Sequence, residues 1–128
     1  MKNSGISLVR IGFSLVYIWF GSDQLLHPAK WLSFLPSYAT KIIPVSTHAL
    51  VLGNGVFEII FGLSLLVGLY IRFVSAILAL HTLHIVSIVG YNPIGVRDFG
   101  IAMSMIGVFL NGPDLWTLDH KRAQKNTP

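Results

Sequence analysis

The stretch "LSLLVGLYIRFVSAIL", Leu63 to Leu78, decides the fold, because two apolar runs meet there with hardly any chain between them. The second of four predicted membrane spans covers about residues 47–70, and the third covers about 71–89. A spanning helix needs roughly 20 mainly apolar residues. With so little connecting chain around "GLYIRF", the two spans are predicted to form an antiparallel hairpin.

Two further apolar stretches extend this pattern. The first predicted span covers about residues 5–26, and the fourth covers about 94–110, after the tight turn "GYNPIG". Residues 28–46 contain three prolines among lysines and aromatic residues, which is typical of an interfacial loop or of a short helix lying on the membrane. The sequence therefore predicts an all-α fold, an integral membrane four-helix bundle with up-down antiparallel topology, as a single domain over residues 1–128.

The composition indicates that a bilayer is the solvent. Of the 128 residues, 53% are hydrophobic and only 11% are charged, and the mean hydropathy is +0.69. The chain has no cysteine, which excludes disulfides and an iron–sulfur cluster bound within it. Any redox chemistry therefore needs a bound cofactor or a partner subunit. The net charge of +4 lies largely in the terminal segments, so it does not form a stripe for nucleic-acid binding.

Basic residues predict the orientation. One side of the predicted bundle collects six of them: Lys2, Arg10, Arg72, Lys121, Arg122 and Lys125. The other side collects three: Lys30, Lys41 and Arg97. Because cytoplasmic loops carry an excess of Lys and Arg, this asymmetry predicts a multi-pass protein of the cytoplasmic (inner) membrane with both termini cytoplasmic. The polar cytoplasmic tail, residues 119–128, is expected to be disordered. The first span lacks the cleavage site of a signal peptide, so we expect it to be retained.

Ionisable side chains occur inside the predicted spans, where each costs a few kcal/mol and needs a partner, a cavity or a function. The rise along a helix places Glu58 and His81 at the same level near mid-membrane. His84 lies one turn nearer the outer side on the same helix face. We therefore predict a polar pocket in the outer half of the bundle, with these candidate binding residues: Glu58, His81, His84, Arg97 and Asp98.

The competing interpretation is a structural polar network without a ligand, comprising Arg10, Asp23, Glu58 and Arg72. On energetic grounds Glu58 is expected to pair with His81, Arg10 or Arg72, whereas the two arginines, nearer the cytoplasmic face, could also extend towards the headgroups. Small residues at helical spacing predict close approach of the second and fourth spans to their neighbours. They are Gly55, Gly62, Ser64, Gly100, Ser104 and Gly107.

Four segments, "LVRIGFSLVYIWFGSDQLLHP", "GNGVFEIIFGLSLLVGLYIRF", "VRDFGIAM" and "NGPDLWTLD", resemble in order and spacing the DoxX family of small four-helix membrane proteins. The resemblance picks out these positions: Arg10, Gly21, Pro28, Glu58, Gly62, Gly68, Arg72, Arg97, Asp98, Gly112, Pro113 and Asp119. The sequence departs from the family pattern at Asp23-Gln24, where many relatives have a lysine, and at Asp114, where a glycine is usual. The family is named after a membrane subunit associated with thiosulfate:quinone oxidoreductase and a terminal oxidase. Other members are linked to oxidative-stress complexes, and a related animal protein acts as a receptor-assembly chaperone.

Two functions from different classes follow. In the first, the chain is a membrane subunit of a quinone-linked electron-transfer system, and the outer-half pocket binds a quinone or another small ligand, such as an anion near Arg97. For a quinone, a His or Glu side chain would contact a carbonyl oxygen. Aromatic residues would enclose the quinone ring: Tyr17, Trp19, Phe57, Phe61 and Phe73. In the second, the chain is a non-catalytic helper that assembles or anchors a partner complex.

Two weaker interpretations remain. The His-x-x-His motif favours a metal site less, because neither cysteine nor a further mid-membrane carboxylate accompanies it. The same residues could instead form a pathway for protons or a small solute across the membrane. No nucleophile–base pair is visible, so the chain is at most a subunit of an oxidoreductase. The expected partners are the lipid bilayer and other protein subunits, and not nucleic acid.

Overall fold

Four long helices make up most of the protein. The computed structural model describes residues 4–34, 46–114 and 116–125, and these residues form helices and turns without a strand. The long helices are α1 (Ser4–Leu26), α2 (Thr47–Val67), α3 (Ile71–Val89) and α4 (Pro93–Asn111). Each is long and apolar enough to cross a membrane. The predicted all-α membrane fold is therefore confirmed.

Short connections make successive helices antiparallel. Only Gly68 to Tyr70 separate α2 from α3, and only Gly90 to Asn92 separate α3 from α4. A 3-10 helix, Pro28–Phe34, follows α1 and begins the predicted interfacial segment. The rest of that segment, residues 35–45, lies outside the described residues. We call the end of the bundle with the start of α1 and the α2–α3 turn the terminal end, and the opposite end the distal end.

Local capping sets the helix boundaries. The Ser46 hydroxyl caps the start of α2, and Gly68 ends the helix with a left-handed backbone, φ 78°. The last helical residue is therefore Val67, three residues before the limit of about residue 70 that hydropathy predicts. A side chain at Gly68 would also collide with Thr117. The Asn92 side chain caps α4, and Pro93 occupies the first helical position, where its missing N–H is not needed.

The bundle consists of two closely packed helix pairs, α1 with α2 and α3 with α4, and the contacts between the pairs are sparser. Glycines allow the approach of α1 to α2. A Cβ at Gly21 would lie 2.6 Å from the Gly55 carbonyl oxygen, and one at Gly62 would lie 2.9 Å from an α1 side chain. The packing role predicted for Gly55 and Gly62 is confirmed. By contrast, a Cβ at Gly100 or Gly107 would meet no atom of the described residues within 4 Å.

Apolar side chains occupy both the core and the outer surface of the bundle. The core between the pairs includes Tyr17, Leu65, Leu78 and Met105. Large exposed hydrophobic side chains cover the helix faces that point outwards, among them Leu8, Phe73, Leu80 and Leu110. Water does not stabilise such a surface, whereas lipid does.

A fifth helix, α5 (Leu118–Lys125), occupies most of the tail that we expected to be disordered, so that expectation is wrong for these residues. Asp119 anchors it to the α2–α3 turn. The Asp119 carboxylate accepts hydrogen bonds from the backbone N–H groups of Tyr70 (2.8 Å) and Ile71 (2.7 Å), and its own N–H donates to the Gly68 carbonyl (3.0 Å). These contacts provide acceptors for backbone N–H groups at the start of α3 that have no partner within the helix, and they hold α5 at the α2–α3 turn.

Candidate functional site

The structure separates the predicted site residues into three polar groups at different levels of the bundle. Glu58 and His81 lie together in the middle, Arg97 and Asp98 lie together near the distal end, and Arg10 lies near the terminal end. Glu58 and His81 lie where α2 meets α3, whereas Arg97 lies against Phe20 of α1.

The middle group is a closed set of hydrogen bonds around the Glu58 carboxylate, which is 4% exposed. Its Oε1 accepts from Asn54 Nδ2 (3.1 Å) and lies 3.3 Å from His81 Nε2, while its Oε2 accepts from Gln24 Nε2 (3.1 Å). Asn54 Nδ2 also donates to Gln24 Oε1 (2.7 Å). The ring of contacts joins α1, α2 and α3, and we call it the Glu58 cluster.

The partners of Glu58 were predicted only in part. Pairing with His81 agrees with the depth argument, which placed both residues at one level. Asn54 lies four residues before Glu58 on the same helix face, a spacing that could have identified it from the sequence. Nothing in the sequence of α2 indicates that Glu58 contacts Gln24, because this contact depends on how α1 is rotated against α2.

Aromatic side chains fill the interface between α2 and α3. The rings of Phe57 and Phe61 stack with centroids 4.4 Å apart, the Phe57 ring lies 4.7 Å from His81, and the Phe61 ring lies 6.4 Å from Phe73. Phe57 and Phe61, which we expected to enclose a quinone, therefore pack against each other. Phe73, a third such residue, lies beside Phe61 but is 63% exposed. A fourth, Tyr17, is buried in the core, where its hydroxyl lies 2.5 Å from Thr82 Oγ1.

The interface between α1 and α4 is open. It forms a groove of about 650 Å³. We call it the Arg97 groove, lined by Phe13, Val16, Trp19, Phe20, Arg97, Gly100, Ile101 and Ser104. From Arg97 to Ser104 the groove follows α4 for seven residues, about 10 Å along the helix axis. All its lining residues except Arg97 and Ser104 are apolar, and most are aromatic or aliphatic.

Arg97 supplies the charge at the distal end of this groove. Its Nε and one terminal nitrogen each lie 3.0 Å from Asp98 Oδ1, and its guanidinium lies 4.9 Å from the centroid of the Phe20 ring. Asp98 is buried, whereas the Arg97 side chain is 46% exposed. The carboxylate thus holds the guanidinium at the groove, and an arginine has five N–H donors, of which these contacts use only part.

Asp23 binds the 3-10 helix rather than the Glu58 cluster. Its Oδ2 accepts hydrogen bonds from Lys30 Nζ (3.0 Å) and Trp31 Nε1 (2.8 Å). The Trp31 ring packs edge-on against Phe20, 5.7 Å between centroids. Since Phe20 also lines the Arg97 groove, Asp23 fixes the segment that borders the distal end of the groove.

The terminal group is built on a fully buried arginine. Arg10 Nε donates to Asp114 Oδ2 (2.8 Å), and a terminal nitrogen donates to the carbonyls of Leu65 (2.8 Å) and Leu66 (2.6 Å). The Ser7 hydroxyl donates to Asp114 Oδ1 (2.8 Å). Arg10 is therefore paired inside the bundle and does not extend towards the headgroups.

Asp114, like Asn54, is a polar residue of these groups that the sequence did not identify as a site residue. Asp114 supplies the carboxylate that pairs with Arg10. Burial raises the pKa of Asp114, but hydrogen bonds from Arg10, Ser7 and the Trp116 N–H, together with the Arg10 charge, hold the pKa below its ordinary value of 3.8. The Asp114 carboxylate is thus ionised at neutral pH.

The remaining predicted residues lie apart from these groups. Arg72 is exposed, and its guanidinium lies against the backbone of Gly112. His84 is exposed on α3, one turn beyond His81, and its carbonyl accepts a hydrogen bond from the Ser87 hydroxyl (2.6 Å). Within residues 4–34, 46–114 and 116–125, no group of three or more His, Asp or Glu side chains could hold a metal ion.

The apolar outer faces, the four spanning helices and the buried polar groups between them define a multi-pass membrane protein. A comparison with protein families matches the DoxX family over residues 5–90, more than half of the chain. The chain belongs to the DoxX family. The matched segment contains the whole Glu58 cluster and ends before Arg97 and Asp114. Comparisons with curated proteins and with solved structures found no match.

Proposed function

We propose that this protein is a membrane subunit of a quinone-linked electron-transfer system and that a quinone binds in the Arg97 groove. The observation that carries the proposal is the combination of an apolar groove between two membrane-spanning helices with one guanidinium at its end. A quinone combines a flat ring, two carbonyl acceptors and an apolar tail. Such a molecule would place a carbonyl at Arg97 and its tail along the apolar part of the groove.

The two loosely packed interfaces of the bundle support this assignment. Protein aromatics fill the interface between α2 and α3, whereas Trp19 and Phe20 line an open space between α1 and α4. A flat ring beside these side chains would supply the packing that Phe57 and Phe61 supply across the bundle. Because the chain has no cysteine, the quinone would carry the electrons and a partner subunit would deliver them.

Glu58, His81 and His84 do not line this groove, so we do not assign them to quinone binding. The Glu58 cluster uses its carboxylate oxygens on three neighbouring side chains, which suits a structural role in setting the rotation of α1, α2 and α3. The excess of basic residues at the terminal end supports an orientation with both termini in the cytoplasm. The Arg97 groove would then open in the outer half of an inner membrane.

A non-catalytic helper that assembles or anchors a partner complex is the second candidate. One observation favours it: Gly100, Ser104 and Gly107 follow one face of α4, and added Cβ atoms at the two glycines meet open space. Small residues of this kind allow another transmembrane helix to approach closely. The two candidates differ in what the protein should retain on purification.

Filling the groove tests the proposal. We expect the gently extracted protein to carry a quinone, measured by liquid chromatography and mass spectrometry, and Gly100→Leu to reduce it at least tenfold, because the new side chain enters the groove. Gly53→Leu on α2 is the matched control, since Gly53 is also exposed and its Cβ also meets open space. Wild-type protein without quinone would refute the proposal. A Gly107→Leu variant that keeps the quinone but loses a stoichiometric partner would support the helper role in addition.

A further inference from the structure

At the terminal end both side-chain carboxylates are engaged in hydrogen bonds. Of the five acidic residues in the chain, only Asp114 and Asp119 lie there. Asp114 is 1% exposed and paired with Arg10, and both carboxylate oxygens of Asp119 accept backbone N–H groups at the start of α3. Within the described residues, neither carboxylate forms an ion pair with an exposed cation at this end.

The exposed charges described at this end are positive. Arg72, Lys121 and Arg122 are all exposed. The Arg122 guanidinium lies 5.7 Å from the centroid of the Tyr70 ring. Tyr70 and Trp116 are themselves exposed, 58% and 55%, and such side chains favour the headgroup level of a bilayer. Cations and interfacial aromatics thus share one surface, which we call the basic end: Tyr70, Arg72, Trp116, Lys121 and Arg122.

We infer that the basic end binds the phosphate groups of anionic phospholipids and prefers them to zwitterionic ones. Arginine matches a phosphate with two parallel N–H donors, and no carboxylate of the described residues forms an ion pair with Arg72 or Arg122. Tyr70 and Trp116 hold the cations at the depth of the headgroups. A cation near an anionic membrane surface contributes about 1 kcal/mol, roughly a fivefold preference for each residue. The inference is independent of the Arg97 groove.

Lipid exchange measured at Trp116 tests this inference. The full chain carrying Trp19→Phe and Trp31→Phe keeps Trp116 as its one tryptophan, because the sequence has three. This chain would be reconstituted in vesicles with brominated phosphatidylglycerol or brominated phosphatidylcholine, whose chains quench nearby tryptophan fluorescence. We expect phosphatidylglycerol to compete for Trp116 several-fold better. The variant Lys121→Gln with Arg122→Gln should lower that preference by up to about fivefold for each cation removed.

Two controls separate specific binding from general charge effects. Lys30→Gln removes an exposed cation at the distal end and should leave the preference at Trp116 unchanged. Raising the salt concentration should weaken the preference, since exposed charges are screened. Equal quenching by both lipids would overturn the inference and make an acidic protein segment the better occupant. A preference that survives in the double variant would overturn it as well.

Discussion

Replacing Asp114 by alanine is expected to destabilise the terminal end of the bundle more than the loss of an exposed ion pair would. The substitution removes the carboxylate that accepts from Arg10 Nε (2.8 Å), the Ser7 hydroxyl (2.8 Å) and the Trp116 N–H (2.9 Å). Arg10 is 0% exposed, so water cannot replace the lost partner without opening the bundle.

The contacts indicate the size of the effect. Breaking a buried ion pair from one side costs about 3–5 kcal/mol, because the remaining charge stays buried and uncompensated. Arg10 keeps its hydrogen bonds to the carbonyls of Leu65, Leu66 and Trp116, which spread part of that charge over backbone dipoles. We therefore expect a loss of about 3 kcal/mol in the free energy of unfolding.

Unfolding in mixed micelles, followed by helical circular dichroism as denaturing detergent is increased, measures this change. Asp98→Ala is the comparison, because its partner Arg97 is half exposed and such pairs contribute at most about 1 kcal/mol. Replacing Arg10 by Met together with Asp114 by Ala should cost less than the sum of the single changes. A loss below about 1 kcal/mol for Asp114→Ala would show that Arg10 does not depend on its carboxylate.

Three further changes test other parts of the structure. Gly21→Leu should cost about 1–3 kcal/mol or more, because its Cβ would lie 2.6 Å from a carbonyl oxygen of α2, whereas Gly12→Leu, on the same helix but facing open space, should cost little in the same unfolding assay. The lowered pKa of Asp114 predicts stability that is fully present above pH 3.8 and is lost as the pH falls below that value through the folded-state pKa; Asp114→Asn should abolish this acid dependence in thermal melts. Asp119→Ala should cost about 1–2 kcal/mol and accelerate amide hydrogen exchange at Tyr70, and unchanged exchange there would contradict the capping role.

The depth of a residue in the membrane was predictable from the sequence, but its contacts with the other helices of the bundle were not. The constant rise of a helix placed Glu58 and His81 at one level, and they are partners. The same argument placed Asp23 and Arg97 in the outer half, yet one binds the 3-10 helix and the other faces a groove, because residues at equal depth can point in different directions around their helices.

Small residues illustrate the same distinction. Gly62 and Gly100 look alike in the sequence, each on an apolar helix with another small residue nearby. Gly62 touches α1, whereas a side chain added at Gly100 would enter the Arg97 groove. The rotation of each helix against its neighbours decides which of the two glycines contacts another helix and which borders an open space.

The sequence by itself determined that this protein crosses a membrane with four antiparallel helices, since hydropathy, span length and short turns are properties of consecutive residues. Tertiary structure alone decided that Arg10 meets Asp114, that α2 and α3 close their interface with aromatics, and that α1 and α4 leave theirs open. The reason is physical. The free-energy cost of burying a polar side chain in a membrane requires that side chain to have a partner, but the packing geometry of the helices determines which residue the partner is.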